Sequence, residues 1–323
     1  MPSVEQFPLG AFVAEACFLG ETPVFALGDG TVRRLAGAEP VAVPVHAGAI
    51  LSTAVTADGR LVTGGDDGLV ARTDAEGRVE RLAERPKKWI DHVAAGPGNA
   101  VAFSVGRQAW VLSGGKERVF DHPRAVGGLA FAPKGVRLAV ARYDGVTLWW
   151  AGTESAPVSL QWKGAHLGVT FSPDGRYLVT AMQENALHGW RLEDGKDMRM
   201  TGYPAKSKSQ SWSAKGRFLA SSGANAAILW PFHFKDGPMG RPPLQLGARE
   251  VLVTRVACHP KEELVAVGYQ DGMILAVRFG DAEEALLRRP GESPVSALTW
   301  DRAGGRLAFG CEDGAAGVVS LAG

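Results

Sequence analysis

An all-β fold assembled from repeated four-stranded units is what this chain predicts, on three observations. A hairpin pattern, clearest in VTFSPDGRYLVTA at 169–181, returns along the whole 323-residue chain. Apolar residues alternate at period two, and no stretch shows helical periodicity. Turn signals of Gly, Pro, Asp and Asn interrupt at the spacing that short antiparallel strands require.

Each element follows in order. The hairpin's second strand recurs as GRLVTGG at 59–65, GRFLASSG at 216–223 and GRLAFGC at 305–311, with a looser copy in GVRLAVAR at 135–142. With Phe171 as landmark, equivalent positions are Cys17, Val55, Ala95, Phe131, Trp212, Cys258 and Trp300. The successive spacings are 38, 40, 36, 40, 41, 46 and 42 residues. Units of about 40 residues are a propeller-like period. Eight of them fill residues 1–323 as a single domain. A third strand follows each hairpin, as in TVRRL, LVART, VTLWW and ALHGW, and a fourth precedes the next unit, as in PVAVPV. Four strands per unit make a β-propeller blade. Asp29-Gly30, Asp67-Gly68, Asp144-Gly145, Asp271-Gly272 and Asp313-Gly314 read as type I′ turns, with positive φ at both residues. The last unit, 291–323, supplies only three strands, so residues 3–9 are expected to complete it, with Pro8 tolerated on an edge. The prediction is a closed propeller of eight four-stranded antiparallel blades, with seven as the alternative. Landmark residues, Trp212 and Trp300 above all, are expected to pack between blades.

FSPDGRYLVTA followed by ALHGW, and RFLASSG followed by AAILW, resemble WD-repeat units of the WD40 type, and the resemblance extends unevenly over the chain. The Trp-Asp dipeptide is missing from the third strands, where Trp149, Trp190 and Trp230 keep only the tryptophan. His46 and His122 stand near the family's Gly-His position. The resemblance implies a His–Ser–Asp–Trp hydrogen-bond network bracing each blade, which most units here are not expected to complete. It also implies a non-catalytic protein-interaction scaffold.

Composition bounds the remaining classes. A net charge of +1 leaves no footprint for nucleic acid, and the clusters at Arg81, Arg85, Lys87 and Lys88 and at Lys206 and Lys208 read as solvated surface. The opening MPSVEQFPLG lacks a basic and an apolar region, and no run is long enough for a membrane helix. Cys17, Cys258 and Cys311 have neither disulfide nor zinc spacing. A reduced, cytoplasmic, monomeric protein without membrane contact is expected. No G-x-S-x-G, H-E-x-x-H or phosphate-loop motif occurs, and Cys258 sits at a landmark core position beside a histidine facing the other way. No catalytic residue, cofactor or metal is expected, and the protein is not expected to be an enzyme.

Loops entering the first strands and those between second and third strands share one face in such propellers. The partner-binding candidates there are Trp89, His92, Arg142, Tyr143, His166, Gln183, Arg255, Tyr269 and Gln270, aromatics and Arg among polar residues. His166 and Ser207 stand where other units carry an apolar residue, which points to solvent or a ligand. The alternative reading is a lactonase-like propeller enzyme or small-molecule sensor, with ligand in the axial opening near His92, His166 and Arg255.

Overall fold

The computed structural model describes residues 3–37 and 39–321. Among these, thirty strands form seven antiparallel sheets, six of four strands and one of six. Among the described residues the single helical element is a 3-10 turn, Pro97–Asn99. In six of the seven sheets strands follow chain order, as in Ile50–Val55, Leu61–Gly65, Leu69–Thr73 and Val79–Glu84. The architecture is all-β, of four-stranded antiparallel propeller blades.

Seven sheets stand where the repeat count predicts eight blades. The fourth and fifth repeats share the six-stranded sheet because Val158–Phe171 runs unbroken through both. Its first half pairs from Leu148↔Val158 to Gly145↔Gln161, and its second from His166↔Met182 to Phe171↔Leu178. Arg137–Trp150 is likewise one long strand, bent where Asp144 and Gly145 take φ of +66° and +127°.

The chain divides into two compact units, residues 1–27, 33–42 and 200–323, and residues 28–32 and 43–199. In the first, Ser3–Pro8 pairs with Ala315–Ser320 in register from Ser3↔Ser320 to Pro8↔Ala315, so the N-terminal strand completes the last sheet as predicted. The Leu9 amide extends this by donating to the Gly314 carbonyl at 2.8 Å. The last sheet also packs on the first: Val13, Phe25 and Leu27 bury against Ala297, Ala308 and Val318. Gly310 permits the approach, since a Cβ there would lie 2.2 Å from Val13 Cγ1. Ser296 Oγ adds a hydrogen bond to the Val13 carbonyl at 2.7 Å. In the second unit, Val62, Val70, Ile90, Val93, Val101 and Phe103 form one of the corresponding cores.

The Asp-Gly turns correct the type I′ expectation. Gly30, Gly68, Gly272 and Gly314 have φ of +82° to +90°, but among the five aspartates only Asp144 is positive. The other four carboxylates accept the amide two residues on, for example Asp67 Oδ1 from Leu69 at 3.0 Å and Asp313 Oδ1 from Ala315 at 3.0 Å. That local hydrogen bond holds the aspartate in an Asx-turn and leaves the left-handed position to glycine alone.

Remnants of the bracing network are present in altered form. His46 contacts Thr63 Oγ1 at 2.8 Å and Asp67 Oδ1 at 3.0 Å, with no tryptophan. Burial pushes the Asp67 carboxyl up, but hydrogen bonds from His46 and from the Leu69 and Ala47 amides outweigh it and hold the group below its usual range. Trp149 Nε1 donates to His122 Nε2 at 3.1 Å. In the sixth repeat a tyrosine replaces the histidine: Trp230 Nε1 reaches Tyr203 Oη, which also meets Ser221 Oγ, both at 2.6 Å. Of the landmarks, Trp300 is buried and donates to the Ala257 carbonyl at 3.0 Å, Trp212 is only half-buried, and Val55 is exposed.

Candidate binding site

The nine predicted residues separate into three kinds. Trp89, Tyr143, Gln183 and Gln270 are exposed, Trp89 at 64% and Tyr143 at 50%. His92 and Arg255 are half-buried. Arg142, His166 and Tyr269 are buried, against the expectation of a presented contact surface.

The buried three act within the fold. Arg142 donates to Thr147 Oγ1, the Tyr143 carbonyl and Ser159 Oγ at 2.9–3.0 Å, pinning the turn that holds Tyr143 out. His166 Nε2 meets the Trp162 carbonyl at 3.0 Å. A carbonyl only accepts, so Nε2 carries the proton, and Nδ1 lies 2.7 Å from Thr180 Oγ1, a hydroxyl shared with the His188 carbonyl at 3.1 Å. Burial lowers this imidazole's pKa, so His166 is a neutral, satisfied core residue and not a ligand-facing one. The Tyr269 hydroxyl is buried and donates to the Gly247 carbonyl. Ser207, the other position singled out by a missing apolar side chain, is buried too.

In the second unit Trp89 stands between Val79–Glu84 and Val93–Ala95, beside a groove of about 690 Å³ shared with Asp91, Arg107, Gln108 and Asp121. An exposed indole next to charges of both signs is an amphipathic anchor for a partner. His92 follows it, and burial lowers its pKa against the opposing pull of Asp91.

The first unit holds a second feature, a polar pocket of about 430 Å³ lined by Glu15, Lys208, Gln210, Arg255 and Thr299. Strand pairing shifts register between Val13 and Glu15, and again between Val253 and Arg255. Such bulges re-aim the side chain that follows. Arg255 donates Nε to the Ser296 carbonyl at 2.6 Å and Nη1 to the Thr254 carbonyl at 3.0 Å. Burial lowers its pKa, countered by the charge of Glu15. Burial raises the Glu15 carboxyl, opposed first by the Ala16 amide and then by Arg255. Sequence reasoning chose Arg255 but missed Glu15 and Lys208. The available signal was a carboxylate inside the apolar run FVAEACF.

Among the described residues no group of three or more His, Cys, Asp and Glu side chains could hold a metal ion, and no helix is long and apolar enough to cross a membrane. Cys258 is buried and its thiol is pushed up to about 12 by burial, the wrong direction for a nucleophile.

No family model matches the chain. It is 26% identical over 203 residues, 60% of its length, to telomerase protein component 1 of Rattus norvegicus, and 26% identical over 202 residues to that of Mus musculus. Over 195 residues it is 25% identical to WD repeat-containing protein 55 of Pongo abelii. The chain spans 7% of each telomerase component and 50% of the WD repeat-containing protein. Among solved structures, the computationally designed Ika8 protein matches with a TM-score of 0.78 over 97% of both chains, at 19% identity, a likeness of fold.

Proposed function

As a WD40-like β-propeller of degenerate repeats, this chain is, we propose, a non-catalytic docking platform for a protein partner. One observation carries the reading: Trp89, 64% exposed, stands at the rim of a charged groove, in the connection between two strands. Tyr143, held out by the buried Arg142 clamp, gives the same unit a second amphipathic anchor. Large aromatics left in water are costly to the isolated molecule and gain most from association.

Further features support the non-catalytic reading. Both His166 ring nitrogens are occupied within the fold, which takes His166 out of an axial ligand site near His92, His166 and Arg255. Protein is favoured over nucleic acid as partner, because Arg85 stacks on Trp110 and pairs with Glu117 in place of joining a basic patch. Three free, buried cysteines fit a reducing cytoplasmic compartment. The proposal takes residues 1–323 as one domain, acting as a monomer.

Affinity purification from the native cell tests this with the wild type, Trp89→Ala and Tyr143→Ala. The expected result is a specific partner lost or weakened more than tenfold, about 1.4 kcal/mol, by either change. Identical partner lists for all three proteins, each with unchanged thermal stability, would overturn the assignment of this surface.

A further inference from the structure

We propose that the pocket around Glu15 and Arg255 binds a small zwitterion of the amino-acid class, its ammonium on Glu15 and its carboxylate on Arg255. The pocket, at about 430 Å³, falls in the range of about 300–1,000 Å³ that small-ligand sites occupy. Its lining lies wholly within one compact unit.

Two opposite charges face this space without meeting. Arg255 spends Nε and Nη1 on the Ser296 and Thr254 carbonyls, neutral acceptors that orient the guanidinium and leave Nη2 without a hydrogen bond, while Glu15 and Glu312 act on its charge without forming an ion pair with it. Glu15 uses Oε1 on the Ala16 amide at 3.1 Å, leaving Oε2. Among the described residues no ion pair joins the two, although each feels the other's charge. Withdrawing ionic groups from water without a partner is costly. A molecule with matched charges relieves both groups at once. A simple anion meets Arg255 but is repelled by Glu15, and a simple amine has the reverse difficulty.

The remaining lining fits the carboxylate end. Gln210 Nε2 is a buried amide donor with no partner, and Lys208 adds a second cation. The two serines of the lining are already committed. Ser209 Oγ accepts from the Val256 amide at 3.1 Å and donates to the Val256 carbonyl at 3.2 Å, and Ser211 Oγ accepts from the Cys258 amide at 2.9 Å. These bonds stitch Gln210–Trp212 to Val253–Cys258, so the wall is built before a ligand arrives.

Isothermal titration calorimetry on the full chain tests the proposal. The probes are the standard L-amino acids, each compared with its 2-hydroxy acid, which lacks the ammonium, and its decarboxylated amine. At least one amino acid is expected to bind with one-to-one stoichiometry, and both of its single-charge counterparts at least about tenfold more weakly. Glu15→Gln is expected to weaken that amino acid about tenfold or more while leaving the hydroxy acid as good or better. Arg255 braces two carbonyls, so Thr299→Trp, which fills the pocket without touching either charge, is the second variant. It is expected to abolish binding at unchanged melting temperature. The proposal fails if no amino acid binds up to about 10 mM, if the hydroxy acid binds equally well, or if binding survives Thr299→Trp. None of these outcomes bears on docking at Trp89, which lies in the other unit.

Discussion

Replacing Tyr203 with phenylalanine removes one oxygen from a buried network and leaves the ring in place. Ser221 Oγ donates its single hydrogen to the Ile228 carbonyl at 3.1 Å, so Tyr203 Oη donates to Ser221 and accepts from Trp230 Nε1. Tyr203, Ser221 and Trp230 are all buried, and burial pushes the Tyr203 phenol up to about 12. The change strands a buried indole N–H, which costs about 1–3 kcal/mol, and deletes one further hydrogen bond with a net worth of about 0.5–1.5 kcal/mol. A loss of about 2–4 kcal/mol is expected, read as a lower urea midpoint at unchanged slope. Trp230→Phe removes the donor as well, so the double variant should be more stable than the two single losses predict, by about 1–2 kcal/mol. Circular dichroism follows unfolding without relying on the altered indole. A Tyr203→Phe loss under about 0.5 kcal/mol, or strict additivity in the cycle, would refute the reasoning.

Stability should fall in mild acid because of His188. It is fully buried, neither ring nitrogen has a hydrogen-bond partner, and burial, reinforced by the charge of Arg199, pushes it down to about 3 although Asp197 lies 3.5 Å away. The folded pKa lies below the ordinary 6.5, so the unfolded chain takes up the proton first and stability is lost as pH falls from about 6.5 towards 3. At pH 4.5 the loss relative to a His188→Phe variant should be about 3 kcal/mol, and an unchanged difference between pH 7 and pH 4.5 in urea titrations would sink it. Gly68→Ala should cost about 3 kcal/mol or more, since its Cβ would lie 2.1 Å from the Arg85 carbonyl oxygen at φ +84°. Gly59→Ala, at φ +77° with open space, should cost only about 1 kcal/mol, and equal melting temperatures for the two would contradict the packing argument. Deleting residues 1–8 uncovers the edge of Ala315–Ser320, so sedimentation should show concentration-dependent association that a peptide of residues 2–9 reverses; a stable monomer would count against the pairing.

Period-two alternation and turn chemistry are local properties, and what depends on them was legible in the amino-acid order. The repeated hairpins and the four-strand unit follow from patterns within a few residues of each position, and the pairing of residues 3–8 with the final segment follows from the one strand the last unit lacks. Side-chain direction at the sites was not, because alternation carries through a strand only until a bulge interrupts it. Bulges after Val13 and Val253 bring Glu15 and Arg255, 240 positions apart in sequence, to one pocket. Arg142 and His166 look presentable in sequence, yet their polar atoms are consumed by Ser159, Thr180 and the Trp162 carbonyl. Tyr203 could stand in for a histidine only once Ser221 and Trp230 were seen beside it. The amino-acid sequence alone determined which segments become strands and which neighbours they pair with. Only the tertiary structure decided how strands merge into seven sheets and which polar groups remain unspent, because both depend on contacts between residues far apart in the chain.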